Sequence, residues 1–214
     1  MQAIFNRSEQ GGTRRERTRL ALLRAGIELI AEERTDLSIL AITQKAGVSN
    51  GSFYNFFKDR NQFFDAVAEY AVNHLAIIFD LADAPDLDSI DAAATNIRIL
   101  AFAHRLVPTL SKSIVRRSPD FYTMPNELVR QLRERISAGV EDGSFHVAST
   151  ESAAAVIFGA SAMLGQRLHE DPELNSRIAG DDLALDLLRM LGVSEQRAKQ
   201  AIARPIDDYL IPPQ

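Results

Sequence analysis

The stretch Ala46-Gly47-Val48-Ser49-Asn50-Gly51-Ser52-Phe53-Tyr54-Asn55-Phe56-Phe57 carries two opposed signals. Asn50-Gly51 between apolar residues is a strong short-range hairpin signal, but a hairpin needs strands on both sides. Upstream, Ile39, Ile42 and Ala46 fall on one face of a short helix that Ser38 can cap and Gly47 can end. Downstream, Ser49 can cap another helix. The reading that satisfies both flanks is two short helices separated by Gly47-Val48-Ser49, a helix-turn-helix whose second member presents its N-terminal residues to a DNA major groove.

The neighbouring sequence supplies the rest of such a unit. Leu20, Leu23, Ile27 and Ile30 recur at helical spacing from about Thr13 to Glu33, with arginines on the outer side. Asp59 and Gln62 have capping-box spacing at the head of a further helix, which runs through Phe63, Val67, Tyr70, His74, Ile78 and Leu81 to a stop at Pro85.

Residue types on the second short helix suit nucleic acid. Gly51 permits close backbone approach, and Asn50 and Asn55 carry amides able to pair with adenine N6 and N7. Ser52 and Tyr54 offer hydroxyls to phosphate, and Lys58 and Arg60 add charge beside the backbone. Ser38, Thr43 and Ser49 complete the expected DNA-contacting set. Phe53 and Phe57 are expected to lock the short helix to its neighbours.

Charge is distributed to match. Residues 1 to 60 hold ten Lys/Arg against seven Asp/Glu, whereas residues 61 to 214 hold fourteen against twenty-two, giving −5 for the whole chain. An acidic protein with a basic end can touch a polyanion with that end and repel it elsewhere.

Other classes find little support. The 214 residues contain no cysteine, which excludes a disulfide framework, thiolate zinc sites and thiol catalysis. No Gly-rich phosphate loop, paired-histidine metal motif or nucleophile elbow is present, so neither an enzyme nor a cofactor or metal is expected. The longest uncharged run, Ser152 to Gln166, is short of the roughly 20 apolar residues that cross a bilayer and reads as a buried helix. The start of the chain has no signal-peptide core, which gives the expectation of a cytoplasmic protein without a membrane partner.

The run Ile42 to Arg60, ITQKAGVSNGSFYNFFKDR, closely resembles the DNA-binding signature of the TetR family of one-component bacterial transcriptional regulators, and the likeness extends over roughly residues 14 to 72. It implies an all-α homodimer with an N-terminal three-helix DNA-binding domain and a larger helical domain. That larger domain would bind a small molecule that releases the protein from its double-stranded DNA operator. Phe56, Leu40 and Asn50 differ from the residues common at their places, where a histidine or tyrosine, a polar residue and a lysine are frequent. The domains expected are an arm at 1–12, the helix-turn-helix at 13–60, the effector and dimerisation domain at 61–205 and a tail at 206–214, with about nine to ten helices in all.

In the larger domain, helices are expected at Leu87–Leu106, Pro108–Arg117, Tyr122–Gly139, Glu151–His169 with Thr150 as cap, Asp181–Leu191, and after Ser194. The segment Gly139 to Phe145 stands where the family's turn before its dimerisation helices stands. A dimer seam is expected at Ala155, Gly159, Ala162, Met163, Leu183, Leu187, Met190 and Leu191. Candidate effector contacts are Asn96, Phe102, His104, Phe121, Tyr122, Met124, Phe158 and Gln166, suited to an apolar or aromatic ligand with one or two hydrogen-bonding groups. The rival from another class is a hydrophobic-ligand carrier or protein-interaction module with a vestigial helix-turn-helix.

Overall fold

The computed structural model describes residues 13–32, 37–82, 87–106 and 108–206. Eleven α-helices and no strand occur among them: α1 Arg14–Ala31, α2 Ile39–Lys45, α3 Asn50–Tyr54, α4 Arg60–Ala82, α5 Ser89–Leu106, α6 Pro108–Arg116, α7 Ser118–Thr123, α8 Glu127–Glu141, α9 Thr150–Glu170, α10 Ser176–Met190 and α11 Glu195–Ile202. The chain divides into two compact units, Met1–His74 and Leu75–Gln214, and passes from one to the other within α4.

In the first unit, local sequence sets each boundary. Thr13 and Glu16 form a reciprocal capping box at the head of α1. Ser38 accepts from the Ala41 N–H at 3.2 Å and Ser49 from the Ser52 N–H at 3.3 Å, so each hydroxyl opens a short helix. Gly47 has φ +67°, the left-handed conformation that ends α2, while its N–H donates to the Gln44 carbonyl at 3.1 Å. A β-turn at Asn50-Gly51 is absent, since both residues lie in the first turn of α3. Helices this short do not stand alone. Leu22, Leu23, Ile42, Phe53, Phe57, Phe63 and Val67, each at most 3% exposed, bury the faces that hold them.

The second unit gathers around α5, which packs against α8, α9, α10 and α11. Its core includes Ala94, Ile97, Ile136, Phe145, Ala154, Leu187, Leu188 and Leu191. The turn after α8 closes when the Phe145 N–H donates to the Gly139 carbonyl at 2.8 Å. The Phe145 ring then lies so close that a Cβ at position 139 would meet it at 2.1 Å, and a glycine is required there.

Three expected boundaries are corrected. The helix expected over Tyr122–Gly139 is two, α7 and α8. Met124 precedes Pro125 and is driven to extended backbone (φ −81°, ψ 146°), and Asn126 restarts the helix by accepting from the Val129 N–H at 3.0 Å. Helix α9 is capped by Ser149 and not by Thr150, which lies inside it. Helix α10 starts at Ser176, five residues before the expected Asp181, because Asn175 accepts from the N–H groups of Arg177 and Ile178.

A charged cluster ties α11 to the unit. Asp91, with an 8% exposed side chain, meets Arg197 at 2.8 Å and Arg204 at 2.9 Å, and Asp88 meets Arg197 at 2.7 Å. The buried Arg98 pairs with Asp181 at 2.5 Å and donates to the Arg204 carbonyl at 2.7 Å. Removing the Asp91 charge leaves two guanidiniums that still reach water, so the cost is that of charge-assisted hydrogen bonds, about 1.5–3 kcal/mol. Asp91→Asn is expected to lower the denaturant midpoint accordingly and to deprotect α11 amides first in hydrogen exchange.

Candidate nucleic-acid interface

Helix α3 presents one face to the core and the other to solvent. The buried side is Phe53, whose ring lies 5.4 Å from those of Phe57 and Phe63 and 5.5 Å, edge-on, from that of Tyr54. The solvent side holds Asn50, Gly51, Tyr54 and Asn55, all exposed, with Ser52 half-buried. Tyr54 is 60% exposed. At the head of α4, the Gln62 side chain accepts from the Lys58 N–H at 2.7 Å while Asp59 accepts from the Gln62 N–H at 2.8 Å. This cap fixes the backbone that carries the exposed Lys58 and Arg60.

Three expected contacts have structural roles here. Ser38 and Ser49 use their hydroxyls as helix caps, and Ser49 also sits 2.9 Å from the Ser52 hydroxyl. Thr43 is a correction: at 1% exposure it cannot reach DNA, and its hydroxyl lies within hydrogen-bonding distance of the Ile39 and Leu40 carbonyls and the Asn50 side chain.

Cations on α1 adjoin this face, in addition to the residues expected from sequence. The guanidinium of Arg15 lies 5.7 Å from the Phe56 ring centre and that of Arg19 lies 5.9 Å from the Phe57 ring centre. The signal was present in the Arg-rich run RRERTR, but which turn of α1 meets the end of α3 is a tertiary fact. Lys45, by contrast, is held by Glu32 at 2.6 Å and Glu28 at 3.3 Å, and these hydrogen bonds raise its pKa.

The candidate effector residues fall into separate places in the second unit. His104 is buried, with Nδ1 2.6 Å from the Ser111 hydroxyl, which in turn lies 2.9 Å from His169 Nε2, so α5, α6 and α9 share one polar chain. Tyr122 and Phe158 stack at 5.4 Å, the Tyr122 hydroxyl donates to Glu151, and Arg133 lies over the Tyr122 ring while pairing with both Glu151 oxygens. Asn96 and Phe121 are buried and Phe102 is half-buried. Met124 and Gln166 face solvent.

Burial, and secondarily the charge of His169, pull the His104 pKa down to about 4. An unfolded histidine titrates near 6.5, so between these values the unfolded chain binds more protons. The stabilisation is therefore complete above about pH 6.5 and is lost as pH falls toward 4, an effect on the order of 3 kcal/mol for this depression. His104→Gln is expected to flatten the fall of melting temperature between pH 7 and 4.5, as measured by circular dichroism.

Of the expected dimer seam, Ala155, Gly159, Met163 and Met190 are exposed and Ala162 and Leu183 half-buried. Val156 and Met163 are 50% and 58% exposed, and a Cβ on Gly159 would meet nothing within 4 Å. Leu187 and Leu191 are corrected: at 4% and 0% exposure they belong to the subunit's own core and are closed to a partner.

Comparison with known proteins agrees with this layout. Residues 22–67 match the family model for bacterial regulatory proteins of the tetR family, and residues 88–204 match that for the tetracyclin repressor-like C-terminal domain. The chain is similar to the helix-turn-helix-type transcriptional regulator BetI of Pectobacterium atrosepticum, 27% identical over 176 residues that cover 80% of this chain and 69% of the relative. It is 41% identical over 54 residues to YvdT of Bacillus subtilis, an uncharacterized regulator of the same type, covering 25% of this chain and 28% of that one. Among solved structures it is similar to RolR without ligand (TM-score 0.70, 25% identity, 87% of this chain and 97% of that one). The RolR complex with resorcinol gives a TM-score of 0.66 at 25% identity, over 90% and 96% of the two chains. No helix among the described residues is long and apolar enough to cross a membrane. The two family matches lie on the two units that the fold separates, and the chain belongs to the TetR family: it is a DNA-binding transcriptional regulator with a ligand-binding domain, not an enzyme.

Proposed function

We propose that this protein is a cytoplasmic repressor that binds its operator as a homodimer and leaves it when a small aromatic effector occupies the second unit. The observation that carries the reading is the two-sided α3, which spends Phe53 on the core and leaves Asn50, Gly51, Ser52, Tyr54 and Asn55 for DNA. Asn50 and Asn55 would meet base edges, and Ser52, Tyr54, Lys58 and Arg60, joined by Arg15 and Arg19, would meet phosphates. The partner copy would pack on α9 and α10 through Ala155, Val156, Gly159, Ala162, Met163, Leu183 and Met190.

For the effector, RolR's complex with resorcinol supports a small phenol as the ligand class. The chain of His104, Ser111 and His169 supplies hydrogen-bonding groups of the kind such a ligand needs. Helix α4 is the covalent link between the units, and effector binding would favour a conformation in which the two recognition helices no longer match the operator spacing. That requires tighter binding of the effector to the DNA-incompetent form. Challenging the DNA complex with a panel of mono- and dihydroxybenzenes should release it at concentrations where polyanionic metabolites do not. Release by the polyanions alone would overturn the assignment of effector class.

A further inference from the structure

The buried hydroxyl of Thr43 on α2 faces the first residue of the recognition helix. Its Oγ1 lies 2.5 Å from Asn50 Oδ1, 2.9 Å from the Ile39 carbonyl and 3.1 Å from the Leu40 carbonyl. A threonine has one proton to give. The two carbonyls lie inside α2, where each already accepts the N–H four residues on, and they lose little without it. The side-chain oxygen of Asn50 has no backbone donor of that kind.

The Asn50 amide turns its oxygen toward this hydroxyl. The 2.5 Å contact lies at the short limit of an O–H···O bond. The amide is turned with Oδ1 inward and Nδ2 outward, and no side-chain hydrogen bond engages Nδ2 among the described residues. Asn50 itself is exposed at the head of α3.

The geometry points to Thr43 as a specificity-determining positioning residue: it engages the acceptor half of the Asn50 amide, so that Asn50 offers DNA a donor. This rests on the reading of α3 as the base-contacting helix. A free asparagine pairs bidentately with adenine, accepting from N6 while donating to N7. The amide oxygen keeps a second lone pair, but held inward on Thr43 it no longer lies beside Nδ2 at the groove, so the side-by-side pair with adenine N6 and N7 is lost. Asn50 matches instead the bases whose major-groove edges offer acceptors unaccompanied by an amine, guanine through O6 and N7 or thymine through O4, and it disfavours cytosine, whose N4 is a donor. Sequence preference at this position is thus set by a residue that never touches DNA.

The test is selection of randomised double-stranded DNA by the full-length protein, followed by sequencing, for wild type, Asn50→Ala, Thr43→Val, Thr43→Ala and Thr43→Ser. The position read by Asn50 is the one whose preference flattens in Asn50→Ala. There the wild type and Thr43→Ser should select guanine or thymine, and Thr43→Val and Thr43→Ala should shift toward adenine by about tenfold or more. The salt slope of binding, which reports phosphate contacts, should stay as in wild type. Two hydroxyl-free variants are used so that a packing defect in one leaves the other to report. An unchanged profile in the hydroxyl-free variants, or adenine in the wild type, overturns the role of Thr43. If Asn50→Ala changes no position, the base-reading role of Asn50 fails first, and this inference with it.

Discussion

Phe53→Ala is expected to abolish operator binding while leaving the second unit folded. The Phe53 side chain is fully buried and stacks within 5.5 Å of Tyr54, Phe57 and Phe63, so its truncation opens a cavity in the middle of a small aromatic core. Large-to-small changes of this kind cost about 3–5 kcal/mol. Helix α3 is five residues long and has little stability apart from this anchor. Loss of its docking removes the DNA-reading surface as a whole, a larger effect than deleting any one contact. Calorimetry should show the transition of the first unit lowered or missing and that of the second retained, and DNA affinity should fall at least hundredfold. Phe53→Leu, which keeps most of the volume, should retain binding. Unchanged affinity in Phe53→Ala would show that α3 is held by something other than this core.

The second large effect is expected at the exposed strip on α9. Val156 and Met163 are about half exposed, and Gly159 between them is open to close approach by another helix. A charge buried at such a seam must be desolvated without a partner, which costs several kcal/mol. In the proposed isologous interface each substitution would occur twice. Val156→Asp combined with Met163→Asp should convert the protein to a monomer in sedimentation equilibrium without lowering its helicity. Operator affinity should drop by two orders of magnitude or more, because two half-sites are no longer held by one body. A dimer that survives both changes would move the interface away from α9.

Much of the first unit was legible because its information is local. Ser38, Gly47 and Ser49 act within three residues of themselves, and the phenylalanines repeat at the spacing of one buried face. Thr43 is the exception, because its residue type and its position point in opposite directions. It lies four residues after Ile39 and next to Ile42, on the inward side of α2, and that spacing predicted burial better than its hydroxyl predicted DNA contact. Pro125 is a readable break, because it drives Met124 to extended backbone, whereas the four-residue period of Leu128, Leu132 and Ile136 lies wholly after it, in α8. In α10 the four-residue period of Leu183, Leu187 and Leu191 fits a partner or the subunit's own core equally well, and only the packing on α5 decides for the core. The chain from His104 through Ser111 to His169 joins α5 and α6 to α9, 58 residues further along the sequence, which no local pattern encodes.

The most direct test of the central claim is fluorescence anisotropy of the full-length protein across a salt series, on the tightest fragment recovered from a genomic pool and on its scrambled counterpart of equal length. Nanomolar binding to the recovered fragment, about a thousandfold or more tighter than to the scramble, is the result expected of a sequence-specific regulator. Equal, weak and steeply salt-dependent binding to both would reduce α3 and its arginines to a basic surface that reads no sequence, and would contradict the account.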